Sequence, residues 1–316
     1  MCTGVRFSDD KGNMYFGRNL DWTEGYGEKV VITPREYKYT SAFLGEMTPQ
    51  NGAIIGMAIV VENTPLYFDC MSEAGLAIAG LNFPGYANYE ENAVDDKTNV
   101  AAYEFPLWVT MNFATVDEAE EALKNTAIVA KPINDQFPVS ELHFIIGDKD
   151  RSIVVEYTKN GMEVFKNDVD ILTNQPGYSW HQENLRNYMN LSPKRPHEVK
   201  WEKETLVPFG SGSMMRGIPG DYYSTSRFVR VAYLNTHYPV KSTEADNMLR
   251  LFHTLTGVAM IEGAAHMDET SFEKTIYTGG YSTASKTYYY NTYDNPAIMH
   301  VSLADHDLDT QDLIQI

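Results

Sequence analysis

The 316-residue sequence is short of cysteine, short of cations and without long apolar runs. Its 2 cysteines, Cys2 and Cys70, are too few for the cross-linked framework of a small secreted scaffold, and each reads as a free thiol in a reducing cytoplasm. With 25 Lys and Arg against 43 Asp and Glu, the formal charge is −18. No basic patch interrupts it, which argues against a nucleic-acid or anionic-membrane partner. The longest apolar stretch, Ala53 to Val61, is far below the roughly 20 residues that cross a bilayer. The opening residues Met1 to Phe7 are strand-like and lack a basic region followed by an apolar run, so the expectation is a cytoplasmic protein without a secretory signal. Also missing are His-Glu-x-x-His, Cys-x-x-Cys, a Walker loop and the Gly-x-Ser-x-Gly elbow, and Gly210 to Ser213 has too few glycines for a dinucleotide loop. Asp305-His306-Asp307 reads as a solvated acidic end, and neither a metal nor a cofactor is called for.

Hydrophobic residues make up 43% and aromatics 12%, ample for a packed interior. Strands are expected at Met14 to Phe16, Val30 to Ile32, Ile54 to Val61, Leu66 to Phe68 and Leu76 to Leu81. Helical spacing follows: Glu104 to Val109 has Pro near its first turn, and Thr115-Val116-Asp117-Glu118 is a capping box opening a helix to about Asn125. Leu142 to Ile146, Ser152 to Tyr157 and Met162 to Phe165 form an antiparallel meander with a turn at Asn160-Gly161. Further helices are expected at Ser179 to Met189, Ser226 to Asn235 and Thr243 to Thr256, the last stopped by Gly257. Aromatic and β-branched runs at Tyr277 to Tyr281, Thr287 to Tyr293 and Ala297 to Leu303 return the chain to strand. The alternation is that of an α+β or layered α/β chain forming one domain over residues 1–316, with the Pro-rich region Ser192 to Pro219 an excursion suited to assembly.

The chemistry is sought at the N-terminus. Cys2 is followed by the small Thr3 and Gly4, a sequence open to removal of the initiator Met. Cleavage would place an amine (reference pKa about 7.7–8.0) and a thiol (about 8.5) on one residue, a base and a nucleophile together. The alternative is that Cys2 is a small apolar residue entering the first strand. In Phe16-Gly17-Arg18-Asn19-Leu20-Asp21-Trp22, strand alternation sets Arg18 and Leu20 on one face, Asn19 and Asp21 on the other. An Asp beside the amine would hold it, and an Arg beside the thiol would favour thiolate; alone, the two charges also fit a surface ion pair.

Five segments, taken in order, span the chain: Met-Cys-Thr-Gly at 1–4, Gly-Arg-Asn-Leu-Asp-Trp at 17–22, Gly-Leu-Asn-Phe-Pro-Gly at 80–85, Leu-Thr-Asn-Gln-Pro at 172–176 and Ser-Arg-Phe-Val-Arg at 226–230. Together they resemble the choloylglycine hydrolase family, which holds conjugated bile salt hydrolases and penicillin V acylases. The resemblance implies a four-layer αββα N-terminal nucleophile fold, two stacked antiparallel sheets between helical layers, a homotetramer, and hydrolysis of an unactivated amide. It implies Cys2 as nucleophile with its freed amine as proton shuttle, Arg18 and Arg227 flanking the thiol, Asp21 holding the amine, and Asn174 beside the centre. It gives Asn82 an oxyanion role, with a backbone N–H near Asn174 as second donor. Bile salt hydrolases usually have Asn where this chain has Asn82, and penicillin V acylases Tyr. Without the resemblance, Asn82 and Asn174 read as turn residues ahead of prolines. The substrate expected is a small molecule, a glycine- or taurine-conjugated bile acid, whose steroid needs an apolar bed; Leu20, Trp22, Ile133 and Phe137 are the candidates. A penicillin V acylase, an N-acyl homoserine lactone acylase and a catalytically silent bile-acid binder are the rival readings.

Overall fold

The computed structural model describes residues 1–316. The N-terminal strand Cys2–Ser8 lies between Ile171–Leu172 and Met14–Trp22, and this sheet continues through Lys274–Ser282, Thr287–Thr292 and Met299–Ser302. A second sheet of 8 strands runs Gly161–Lys166, Ser152–Thr158, Leu142–Gly147, Ala77–Asn82, Thr64–Ser72, Ile54–Val61, Lys29–Thr33 and Ile314–Gln315. Neighbouring strands are antiparallel throughout both.

Met14 to Asp21 is buried at every position, the pattern of a strand covered on both faces. One face of the first sheet packs on the second sheet, and the other receives helices Ser224–His237 and Glu244–Thr256. Bare glycines let that helical layer approach: a Cβ on Gly280 would lie 2.1 Å from Leu251 Cδ2, and one on Gly17 would lie 2.8 Å from the same atom. Helix Phe105–Asn112 covers the far face of the second sheet, with the Phe105 and Phe144 rings 4.6 Å apart, and Val116–Leu123 packs beside it. The order helix, sheet, sheet, helix is the αββα, α+β arrangement that the family resemblance implies.

Most expected elements form, with informative differences at their ends. Thr115 Oγ1 accepts the Glu118 N–H at 3.2 Å, but the Glu118 carboxylate reaches back to the N–H of Ala114, one residue before the cap. The expected hairpin turn forms one residue earlier, at Lys159-Asn160, with Gly161 opening the next strand opposite Thr158 at φ 94°. The helix expected at Ser179 to Met189 is α only over Tyr178–Asn184 and tightens to 3₁₀ over Leu185–Tyr188. Gly257 does end its helix, yet with φ −59° it is not a left-handed stop; a Cβ there would lie 2.8 Å from Leu234 Cδ1, so the bare residue serves helix–helix contact. The Ser192 to Pro219 excursion carries the hairpin Val199–Trp201 with Glu204–Leu206, and exposes Trp201 and Phe209. No helix is long and apolar enough to cross a membrane.

Candidate active site

Strand alternation sorts the first two motifs between two environments. Cys2 is the register partner of Leu20, and Gly4 of Arg18. Cys2, Arg18 and Leu20 line a cavity between the sheets, whereas the side chains of Thr3, Asn19 and Asp21 find partners on the helix side. Arg18 is fully buried, and its Nη2 donates to Cys2 Sγ at 2.7 Å. Its Nη1 donates to the carbonyls of Gly80 at 2.7 Å and Phe68 at 2.9 Å. Burial opposes a charge there, but Cys2, Tyr277, Asp69 and Asp21 more than offset it and hold the guanidinium protonated above its ordinary range.

Asn174 is the hub of the second half. Its Oδ1 accepts from the Cys2 N–H at 2.8 Å and from Arg227 Nη2 at 2.7 Å, and its Nδ2 donates to the Asn82 carbonyl at 2.7 Å. Arg227, fully buried on helix Ser224–His237, also donates through Nη1 to the Cys2 carbonyl at 2.5 Å and to Thr3 Oγ1 at 2.6 Å. The Asn174 N–H is committed to Ser224 Oγ at 3.0 Å, so that particular main-chain donor is not turned toward the thiol. Two buried histidines brace the same loop: His143 Nε2 donates to the Thr173 carbonyl at 2.8 Å, and His181 Nε2 to that of Asn174 at 3.0 Å.

Asp21 Oδ1 accepts from the Thr275 hydroxyl at 2.6 Å, while its buried Oδ2 accepts no hydrogen bond and lies 4.0 Å from Arg227 Nη1. Burial pushes the carboxyl above the usual carboxylate range, and Arg227 and the terminal ammonium pull the other way. Met1 extends the strand one residue past Cys2; its ammonium donates to the Asp21 carbonyl at 2.6 Å and to Glu273 at 2.8 Å.

The cavity has a volume of about 560 Å³ and an apolar lining. The sequence-expected residues Leu20, Trp22, Ile133, Phe137 and Asn82 all face it beside Cys2 and Arg18, and Asp21 reaches its edge. Arg227 and Asn174 sit behind Cys2 instead, on its main-chain side. No other residue engages the Asn82 side-chain amide. The sequence reading missed Tyr26, Phe68 and Tyr103, which complete the wall. Phe68 and Tyr26 have ring centroids 5.6 Å apart, a contact across distant segments that no local pattern announces. Ser224 and Thr275, the hydroxyls that hold Asn174 and Asp21, were missed for the same reason.

A deep thiol on the first strand of an αββα sandwich, gripped by an arginine of the second, has the form of an N-terminal nucleophile hydrolase. The family model of linear amide C–N hydrolases, choloylglycine hydrolase family, matches residues 2–316, and the chain belongs to that family. It is 53% identical to the bile salt hydrolase/transferase of Bifidobacterium longum subsp. longum, covering 100% of this chain and 99% of that one. It is 46% identical to the conjugated bile acid hydrolase of Lactobacillus acidophilus, covering 99% of each. A solved variant of the conjugated bile acid hydrolase from Clostridium perfringens superposes with a TM-score of 0.93 at 35% identity, covering 100% of this chain and 96% of that one.

Proposed function

We propose that this chain is a cysteine amidase that cleaves the amide of glycine- or taurine-conjugated bile acids, with Cys2 as nucleophile. The observation that carries the reading is the 2.7 Å contact of Arg18 Nη2 with Cys2 Sγ at the wall of an apolar, steroid-sized cavity. A guanidinium there stabilises thiolate, the nucleophilic form. Removal of Met1 frees the Cys2 nitrogen, already anchored on Asn174 Oδ1, to become an amine that shuttles the proton. The unpartnered Asp21 Oδ2 is the acceptor available for the added N–H groups. The thiolate attacks the amide carbonyl, the unengaged Asn82 amide stabilises the oxyanion, and the amine delivers a proton to the departing amino acid. Water, deprotonated by the same amine, then cleaves the thioester. Leu20, Trp22, Ile133 and Phe137 bed the steroid; Arg227 and Asn174 fix the Cys2 main chain rather than touch the scissile bond.

The same reading makes the protein a single-domain, cytoplasmic homotetramer, supported by two free buried thiols and by the exposed Trp201 and Phe209 of the excursion. Light scattering on size-exclusion eluate tests the assembly. The function is tested by amino-acid release from glycocholate and taurocholate, with penicillin V in parallel and Cys2→Ala as control. Release that vanishes in Cys2→Ala is expected; turnover of penicillin V alone, or turnover that survives the substitution, overturns the reading.

A further inference from the structure

Asp69 is a carboxylate in an otherwise apolar strand, Leu66-Tyr67-Phe68-Asp69-Cys70-Met71, and it is buried. A charge in that position demands partners. Two come from the opposite sheet: the Tyr277 hydroxyl donates to Oδ1 at 2.5 Å and the Tyr288 hydroxyl to Oδ2 at 2.7 Å. Both hydroxyls are themselves held far from ionising, by burial first and then by the carboxylate.

The cluster sits against Arg18. The register of Thr64–Ser72 with Ile54–Val61 slips between Tyr67 and Asp69, so Phe68 forms a bulge whose carbonyl turns to Arg18 Nη1. Asp69 is the next residue, and its register partner Ala79 precedes Gly80, the other carbonyl that Arg18 holds. From the facing sheet, Tyr288 reaches Asp69 through a notch at Gly279, the register partner of Arg18, where a Cβ would lie 2.2 Å from the hydroxyl oxygen. Arg18 is otherwise surrounded by carbonyls and the thiol, while Asp21 is engaged on the helix side. A buried guanidinium needs an anion; on this side Cys2 touches it, while Asp69 makes no ion pair with it and acts from behind the Phe68 and Gly80 carbonyls that Arg18 holds.

We propose that Asp69 is a positioning residue for the nucleophile: as the second anion beside Arg18, seated behind the carbonyls that Arg18 holds, it draws on the field of that guanidinium and limits how tightly the Cys2 thiolate is held. The inference rests on Cys2 being the nucleophile. The other charged or titratable groups facing the Cys2 thiol are its own freed amine, Arg227 from helix Ser224–His237, Tyr277 from its strand and Tyr26 from the loop after Trp22. Those facing Asp69, besides the two tyrosines and Arg18, reduce to Cys70, whose thiol burial pushes up and out of the working range. Asp69→Asn removes its charge and turns one acceptor oxygen into a donor, so one tyrosine hydroxyl must rotate to accept, and Arg18 is left with Cys2 as sole anion on this side.

The test is alkylation of the full-length protein by iodoacetamide as a function of pH, with peptide mapping to separate Cys2 from Cys70. Asp69→Asn is expected to lower the midpoint of Cys2 alkylation by about one pH unit. A more tightly held thiolate is also a poorer nucleophile, so the plateau rate should fall by roughly threefold. Tyr288→Phe removes an inter-sheet hydrogen bond but keeps the charge, and its midpoint should match wild type. An unmoved midpoint in Asp69→Asn, or equal shifts in both variants, would show a merely structural tie and overturn the proposal. Should Asp69→Asn not fold, Asp69→Asn/Tyr288→Phe makes the same charge change and carries the same expected shift. Wild-type protein with no alkylation at Cys2 would instead sink the nucleophile assignment, and this proposal with it.

Discussion

Asn82→Ala separates transition-state chemistry from substrate binding more cleanly than any other change at the site. Asn82 ends the strand Ala77–Asn82 and pairs with Leu142 across to Leu142–Gly147, so its main chain is held by the sheet. Its structural duty is performed by the carbonyl, which accepts Asn174 Nδ2 at 2.7 Å and survives truncation. The side-chain amide bonds to no residue, so removing it leaves no orphaned partner, and the Cys2, Asn174 and Arg227 network keeps its geometry. What disappears is one donor for the oxyanion, worth about 2.7–4 kcal/mol, or roughly 10²–10³ in kcat. The apolar wall is untouched, so KM for glycocholate should stay within about threefold of wild type, a difference below roughly 0.7 kcal/mol. Steady-state amino-acid release over a concentration series, with a thermal melt on the same sample, reads both quantities. A kcat within threefold of wild type, or a loss that appears in KM alone, would refute the oxyanion role.

Phe137→Ala removes part of the steroid bed and should raise KM roughly tenfold with little change in kcat, the size of a partial loss of aromatic burial; an unchanged KM takes the residue out of the substrate wall. His181 is stacked on Phe228 with ring centroids 4.4 Å apart, and burial holds it down at about 4 against an ordinary 6.5. An unfolded chain therefore takes up a proton that the folded one refuses: stability from this residue is complete above pH 6.5 and declines as pH falls, by on the order of 3 kcal/mol at pH 4. His181→Gln, which keeps a donor for the Asn174 carbonyl, should flatten that part of the urea-unfolding slope; parallel slopes for the two proteins would exclude it.

The residues legible in sequence are those whose meaning is local. Strand alternation places Arg18 and Leu20 on one face and Asp21 on the other, as the structure has them. The roles of Cys2, Arg18 and Asp21 also needed family context, since alone they fit a strand residue and a surface ion pair. Asn82 and Asn174 needed family context, because an Asn ahead of a proline is an ordinary turn residue until a fold brings together two residues 92 positions apart. Ser224 and Thr275 lay beyond reach: a hydroxyl has no pattern of its own, and their partners Asn174 and Asp21 lie 50 and 254 positions away. Asp69 was readable in principle, since a lone carboxylate inside an apolar strand signals a built partner, although the partners themselves were not. The helix end at Gly257 falls where its glycine suggested but for a different physical reason: φ is −59°, and the missing side chain makes room for Leu234.

The charge of −18 bears directly on how an anionic substrate reaches this site. Both arginines near the thiol are fully buried, and their donors are already engaged by Cys2, Thr3, Asn174 and main-chain carbonyls. They stabilise the nucleophile and its backbone, and leave the acidic leaving group without a free guanidinium. Affinity must then come from burial of the steroid in the apolar cavity, against a mean field that repels the substrate. Salt separates these contributions. Raising ionic strength from 0.01 to 0.15 M shortens the screening length from about 30 to about 8 Å, and should therefore raise kcat/KM for taurocholate. A neutral amide substrate of the same steroid should show no such rise. If kcat/KM for taurocholate falls with salt instead, a cationic approach to the cavity outweighs the mean field, and the attribution of affinity to apolar burial alone is wrong.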